Sequence, residues 1–127
     1  MTAGTTRMNI WLIVAAANGF LAVLAGAFAA HGLQSRLDVH ALATFETGAR
    51  YQMYHALAMA VAALAARNSA ASIACTLFLA GIVLFSGSLY LLALTGTRAL
   101  GFVTPFGGVA LLAGWIALAF AAARIAA

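Results

Sequence analysis

Polar residues divide this chain into four long apolar runs, and the densest chemistry falls inside the second of them. Met8 to Ala30 carries no charge over 23 residues, enough to cross a hydrocarbon core of about 30 Å, which takes about 20 helical residues. The connection HGLQSRLDVHALA, with His31, Arg36, Asp38 and His40, ends that run, and the next extends from about Thr44 to Ala66. Arg67-Asn68-Ser69 stops it with a turn short enough to require antiparallel neighbours. A third run spans Ala70 to Leu94 and contains Cys75, Gly81 and Ser86-Gly87-Ser88. After Thr95-Gly96-Thr97-Arg98, the segment Ala99 to Thr104 reads as a loop or partly buried linker. Pro105 then suits the first turn of a fourth helix, where its missing N–H is not needed. The pattern predicts one all-α transmembrane domain over 1–127, an integral membrane four-helix bundle running up-down-up-down, with helices at 8–30, 44–66, 70–94 and 105–123.

Composition agrees: 66% of residues are hydrophobic and 6% charged, against a usual 45–50% apolar and about 25% charged. All six basic residues are arginines scattered singly, opposed by Asp38 and Glu46. A nucleic-acid binder clusters its basic residues on one face, so the net charge of +4 marks helix ends and no nucleic-acid partner is expected. Cys75 is the sole cysteine, which excludes an intrachain disulfide framework and leaves it a small core residue. Arg7 and the small residues near Ala30 also fit a signal peptide, but the apolar run exceeds a signal h-region. Arg7, Arg67 and Arg124 lie on the terminal side, against Arg36 and Arg98 on the other, plus Arg50 if it snorkels. That narrow balance favours cytoplasmic termini.

In lipid the hydrophobic effect does not draw helices together, so close packing of small residues must. Ala15, Gly19, Ala22, Gly26 and Ala29 form one stripe on helix 1, and Gly107, Ala110, Gly114, Ala117 and Ala121 another on helix 4. Glycine is unfavourable inside helices unless closeness is needed, which makes Gly19, Gly26, Gly81, Gly87, Gly107 and Gly114 the expected packing positions. The stripes serve packing within the chain or against a second copy or another protein.

The second helix holds FETGARYQMYHALA, Phe45 to Ala58. At 100° per residue Glu46, Arg50 and Tyr54 form one row and Tyr51 with His55 the adjacent one. These groups share a broad face that can point into the bundle, with Glu46 and Arg50 roughly 3–9 Å below the surface and His55 roughly 16 Å. Ionisable groups inside a bilayer cost about 2.5–3.5 kcal/mol each on insertion scales and mark functional positions by default. His31, Glu46, Arg50, Tyr51, Tyr54 and His55 are therefore the candidate intramembrane site. A neutral His55 bonded to a hydroxyl, a carbonyl or the Asn18 amide is the plainest expectation. No Cys or carboxylate stands beside the histidines, so the metal signal is weak. Ser86-Gly87-Ser88 is not a G-x-S-x-G elbow, and the glycines form no phosphate loop, as no Lys follows them.

The segments GAFAAHGL, FETGARYQMYHALA, LFSGSLYLLALTG and TPFGGVALLAGW resemble the signature blocks of the YgdD/YwdK-like family, domain of unknown function 423, whose eukaryotic relatives resemble transmembrane protein 256. The resemblance covers roughly Asn9 to Phe120, with Ala29 and Gly48 at positions where variation is expected. It implies a small multi-pass protein of the bacterial plasma (inner) membrane without an assigned activity, and it carries over no catalytic residue. It adds Gln52, Ser86, Gly87, Ser88, Tyr90, Thr104, Pro105 and Gly107 to the residues that belong to signature blocks, which makes them candidates for the same shared site.

The residues favour a non-enzymatic packing, accessory or assembly subunit, with the lipid bilayer as surroundings, no cofactor motif, and a homo-oligomer or larger membrane complex as partner. The alternative is a small oligomeric carrier, channel or proton pathway using Glu46, Arg50 and His55.

Overall fold

A computed structural model describes residues 8–125; the expected flanking Arg7 lies outside the described residues. Five α-helical segments make four rods. α1 (Ile10–Phe28) runs on into a π-helical turn (Ala29–Leu33), and α2 (Val39–Val61) into another (Ala62–Ala66). α3 (Ser69–Gly81), a π-helical turn (Ile82–Ser86) and α4 (Gly87–Thr95) form one continuous rod. A 3₁₀ turn (Arg98–Phe102) then leads to α5 (Thr104–Ile125). Among the described residues three rods are long and apolar enough to span a membrane: Ile10–Leu33, Ser69–Thr95 and Arg98–Ile125.

Side-chain caps explain where the rods begin. Asn9, Asp38 and Asn68 each accept a hydrogen bond from the backbone N–H three residues on, at 3.1, 2.7 and 2.9 Å, which satisfies a donor left over at a helix start. The Asp38 cap starts α2 at Val39, five residues before the expected Thr44, so the polar connection contributes its last residues to the helix. Likewise the segment expected as a loop before Pro105 winds into the 3₁₀ turn. At the other ends the backbone turns left-handed: Arg67 has φ 51° and Gly96 φ 70°, a conformation that stops a helix and favours glycine.

Consecutive rods are antiparallel. α1 packs chiefly on α2, α2 on the α3–α4 rod, and α5 chiefly on α3 and its π turn, so α2 and α3–α4 form the middle of the bundle. The main apolar cluster gathers Met59, Cys75, Phe78, Ile82 and Leu111, and a second one Ala29, Leu33, Phe45 and Ala93. Cys75 is fully buried, its thiol 3.6 Å from the Met59 carbonyl. Polar side chains tie the rod ends together at the terminal end, where the Asn9 amide donates to the Ala63 carbonyl at 3.2 Å and the Asn68 amide to the Ala121 carbonyl at 3.1 Å.

Small residues set the closest approaches, though not all the expected ones. A methyl added at Gly107 would run into the Phe85 backbone, at Gly114 into the Phe78 ring, and at Gly81 into Leu111. Gly19, Gly26 and Gly87 have open space where a side chain would stand. On the first rod the alanines of the stripe are the buried members, Ala15 and Ala22 on α1 and Ala29 in its π turn, because a methyl already fits the α1–α2 spacing.

Gly107→Ala should therefore cost stability, since overpacking typically costs about 1–3 kcal/mol and backbone cannot step aside. Gly19→Ala should be neutral or gain up to about 1 kcal/mol from helix propensity. Denaturant unfolding in detergent checks the pair; equal effects would refute the spacing argument.

Candidate functional site

The face that α2 turns inward is not the one its charges mark. On the helical wheel Phe45, Gly48, Gln52, Ala56 and Met59 share one arc, and all are buried. Glu46, Arg50 and Tyr54 run along the opposite side. Arg50 and Tyr54 are exposed, Glu46 is half-buried, and the row continues through the exposed Leu57, Val61 and Leu64. The polar residues of α2 expected to share an inward face are therefore divided between the interior and the outside. Helix packing favours the side with the small residues, where neighbours come closest, and leaves the charged row outside.

A hydrogen-bonded chain crosses the interior through Gln52. Its Nε2 donates to Oδ1 of Asn18 on α1 at 3.1 Å, and its Oε1 accepts from the hydroxyl of Tyr90 on α4 at 2.7 Å. The Asn18 amide donates onward to the Val14 carbonyl at 3.0 Å. One amide thus joins three rods. Four residues earlier on α2, the Gly48 carbonyl accepts from the Ser86 hydroxyl at 2.7 Å. A Cβ at Gly48 would meet the Tyr90 ring, so this glycine, expected to vary, is what admits both Ser86 and Tyr90. Ser88 turns to the other side of the rod and bonds the Thr104 hydroxyl at 2.6 Å, tying α4 to the start of α5. The Ser-Gly-Ser motif is a two-sided clasp, with the π turn ending at Ser86.

His55 is buried and engages both ring nitrogens. Nδ1 lies 2.7 Å from the Tyr51 carbonyl, and Nε2 accepts the indole N–H of Trp115 at 3.1 Å. A carbonyl can only accept and an indole N–H can only donate, which specifies the neutral Nδ1–H tautomer. The Asn18 amide, an expected partner, is taken by Gln52 instead. Around the imidazole stand Tyr51, stacked at 6.0 Å, Phe78 at 5.7 Å and Trp115 at 5.9 Å. Tyr51 also meets Tyr54 edge-on at 5.6 Å.

Of the expected site, then, Tyr51 and His55 stand together with Trp115. Glu46, Arg50 and Tyr54 lie on the outer face, and His31 is exposed in the π turn that ends α1. Among the described residues there is no group of three metal-ligating side chains. Asn18 and Trp115 were not among the expected site residues, whereas Gln52 and Tyr90 entered only through the resemblance to the family's signature blocks. Following the arc of small residues on α2 rather than its charges leads directly to Gln52.

The fold and its interior define a small multi-pass helical membrane protein with polar links between its rods. The family profile "Protein of unknown function (DUF423)" matches residues 25–108. A UPF0382 membrane protein of Haemophilus influenzae is 45% identical over 114 residues, covering 88% of this chain and 92% of its own length. UPF0382 membrane protein YwdK of Bacillus subtilis is 44% identical over 121 residues, 92% and 98%, and a UPF0382 membrane protein of Staphylococcus aureus 42% over 121 residues, 94% and 99%. The chain belongs to this family of uncharacterised bacterial membrane proteins. No solved structure is significantly similar to it.

Gln52→Leu should destabilise by about 1–3 kcal/mol, because it strands the Tyr90 hydroxyl and the Asn18 amide in the interior. Adding Tyr90→Phe and Asn18→Leu should recover part of that loss, which a mutant cycle followed by unfolding would read; strict additivity would contradict the shared network. For His55, nitrogen NMR should show a protonated Nδ1 and a bare Nε2, with the Nε2 resonance shifting in Trp115→Phe.

Proposed function

We propose that this protein is a non-enzymatic accessory subunit of the bacterial plasma membrane that assembles laterally through the outer face of α2, with its termini in the cytoplasm. The observation that carries this reading is the exposure of Arg50 far along α2. With its π turn α2 runs from Val39 to Ala66, about 42 Å at 1.5 Å per residue. A hydrocarbon core of about 30 Å centred on it leaves about 6 Å at each end. Arg50 stands eleven residues past Val39, so its Cα is about 10 Å inside that core. A charge there is costly against lipid and is ordinarily found facing protein or water.

The interior supports a structural duty. Among the described residues no buried side-chain nitrogen or oxygen lacks a hydrogen-bond partner, and both His55 nitrogens are engaged within the chain. Such groups set register between rods and leave none to bind a transported ion. The outer row is different: Glu46 and Arg50, one turn apart, offer both signs of charge beside the Tyr54 ring. A neighbouring membrane helix with the complementary pair would satisfy them.

Photoreactive residues at Ala43 and Leu57, flanking this row, should yield adducts to one membrane protein, either a second copy or a distinct chain. The same residue at Val23 on exposed α1 should capture lipid only. Arg50→Gln should reduce the protein adduct severalfold. Lipid adducts alone at Ala43 and Leu57 would sink the reading, and a Glu46- and His55-dependent flux in proteoliposomes would replace it with the carrier alternative.

A further inference from the structure

Two cavities lie one below the other on a single flank of α2. The shallower, about 590 Å³, opens at the end of the bundle where the α1–α2 connection meets the end of α4. The exposed Arg36, His40 and Arg98 line it together with the less exposed Leu37, Leu92 and Ala93. The deeper, about 420 Å³, lies between α2 and α5 against Tyr51, His55, Phe85, Leu112 and Trp115.

Helical spacing aligns them. Thr44 borders the first cavity, and Tyr51 and His55 border the second; steps of seven and eleven keep these three residues on one stripe of α2. Across the seam Leu92 borders the first and Phe85 the second, again seven apart, in the reverse order that an antiparallel rod requires. The deeper cavity therefore sits about 10–16 Å below the shallower one. One leaflet of hydrocarbon is about 15 Å deep, half the core thickness.

The chemistry of the two cavities differs as the two ends of a lipid do. Arg36 and Arg98 bring two positive charges to the upper one, and Asp38, whose carboxylate caps Ala41 at 2.7 Å, returns one. The remaining single charge matches one anionic phosphodiester, with His40 as a further donor. In the lower cavity aromatic and aliphatic walls predominate, and the polar atoms of His55 are already bonded to Tyr51 and Trp115, which suits a hydrocarbon chain.

We infer that this flank holds one anionic phospholipid, its phosphate between Arg36 and Arg98 and one acyl chain descending the α2–α4 seam to Tyr51, Phe85 and Trp115. The site is distinct from the outer row of Glu46, Arg50 and Tyr54, and stands whether or not that row docks a partner.

Trp115 reports on the lower cavity, and Trp11→Phe makes it the sole tryptophan, since the chain has two. The protein is reconstituted in phosphatidylcholine vesicles containing a small fraction of phosphatidylglycerol with brominated acyl chains, or the same fraction of brominated phosphatidylcholine. Quenching should favour phosphatidylglycerol about fivefold or more, the preference expected from even one basic residue at the surface. Arg36→Gln with Arg98→Gln should abolish that preference, both residues being exposed and outside the packed core. Gly108→Leu, whose side chain would project near the Phe85 ring, should reduce quenching while the arginines are intact. Equal quenching by the two lipids in the parent protein overturns the inference, as does a headgroup preference that survives loss of both arginines.

Discussion

Inside a membrane bundle a buried polar group has no water to fall back on, and most of this architecture follows from satisfying that constraint at Gln52. An amide has two donors and an acceptor with two lone pairs, and leaving it unpaired costs more than its bonds return. Placing Gln52 inward thus requires an acceptor on one neighbour and a donor on another at the same height. Asn18 and Tyr90 supply them. A link that works at only one height adds to close packing in setting register. Gly48 and Ser86 repeat the device one turn away, and Ser88 with Thr104 extends it to α5.

The glycines divide along the same logic. Gly107, Gly114 and Gly81 sit where α5 approaches the α3 rod closely, and Gly48 where Tyr90 must lie flat on α2. Where α1 meets α2 the spacing admits a methyl, and alanines fill the seam. Close contact is thus concentrated around α3 and its π turn, at the level where His55 meets Phe78 and Trp115.

Rod number, antiparallel order and the ends of the third and fourth helices were legible in the sequence, because a long apolar run bounded by Arg, Asn or Gly has one reading in a membrane. The start of α2 was not: Arg36, Asp38 and His40 look like a loop by polarity, and only the cap geometry of Asp38 shows that the helix begins there. The orientation of α2 was harder still. Charge within an apolar chain draws attention to Glu46 and Arg50, and a wheel places them on a common face without saying which way it points. That is decided by the neighbours, through Gly48, Ala56 and Met59, whose small or flexible side chains let other rods come near.

α2 therefore has two polar sides with different duties. On the inner one the amide nitrogen and oxygen of Gln52 and both ring nitrogens of His55 have partners within the chain. On the outer one Arg50 is exposed and far from the helix ends. A sequence selected only to hold four rods together would gain stability from leucine at that position. On the proposed reading the arginine belongs to a lateral contact, whereas the buried amides and hydroxyls are paired within the chain.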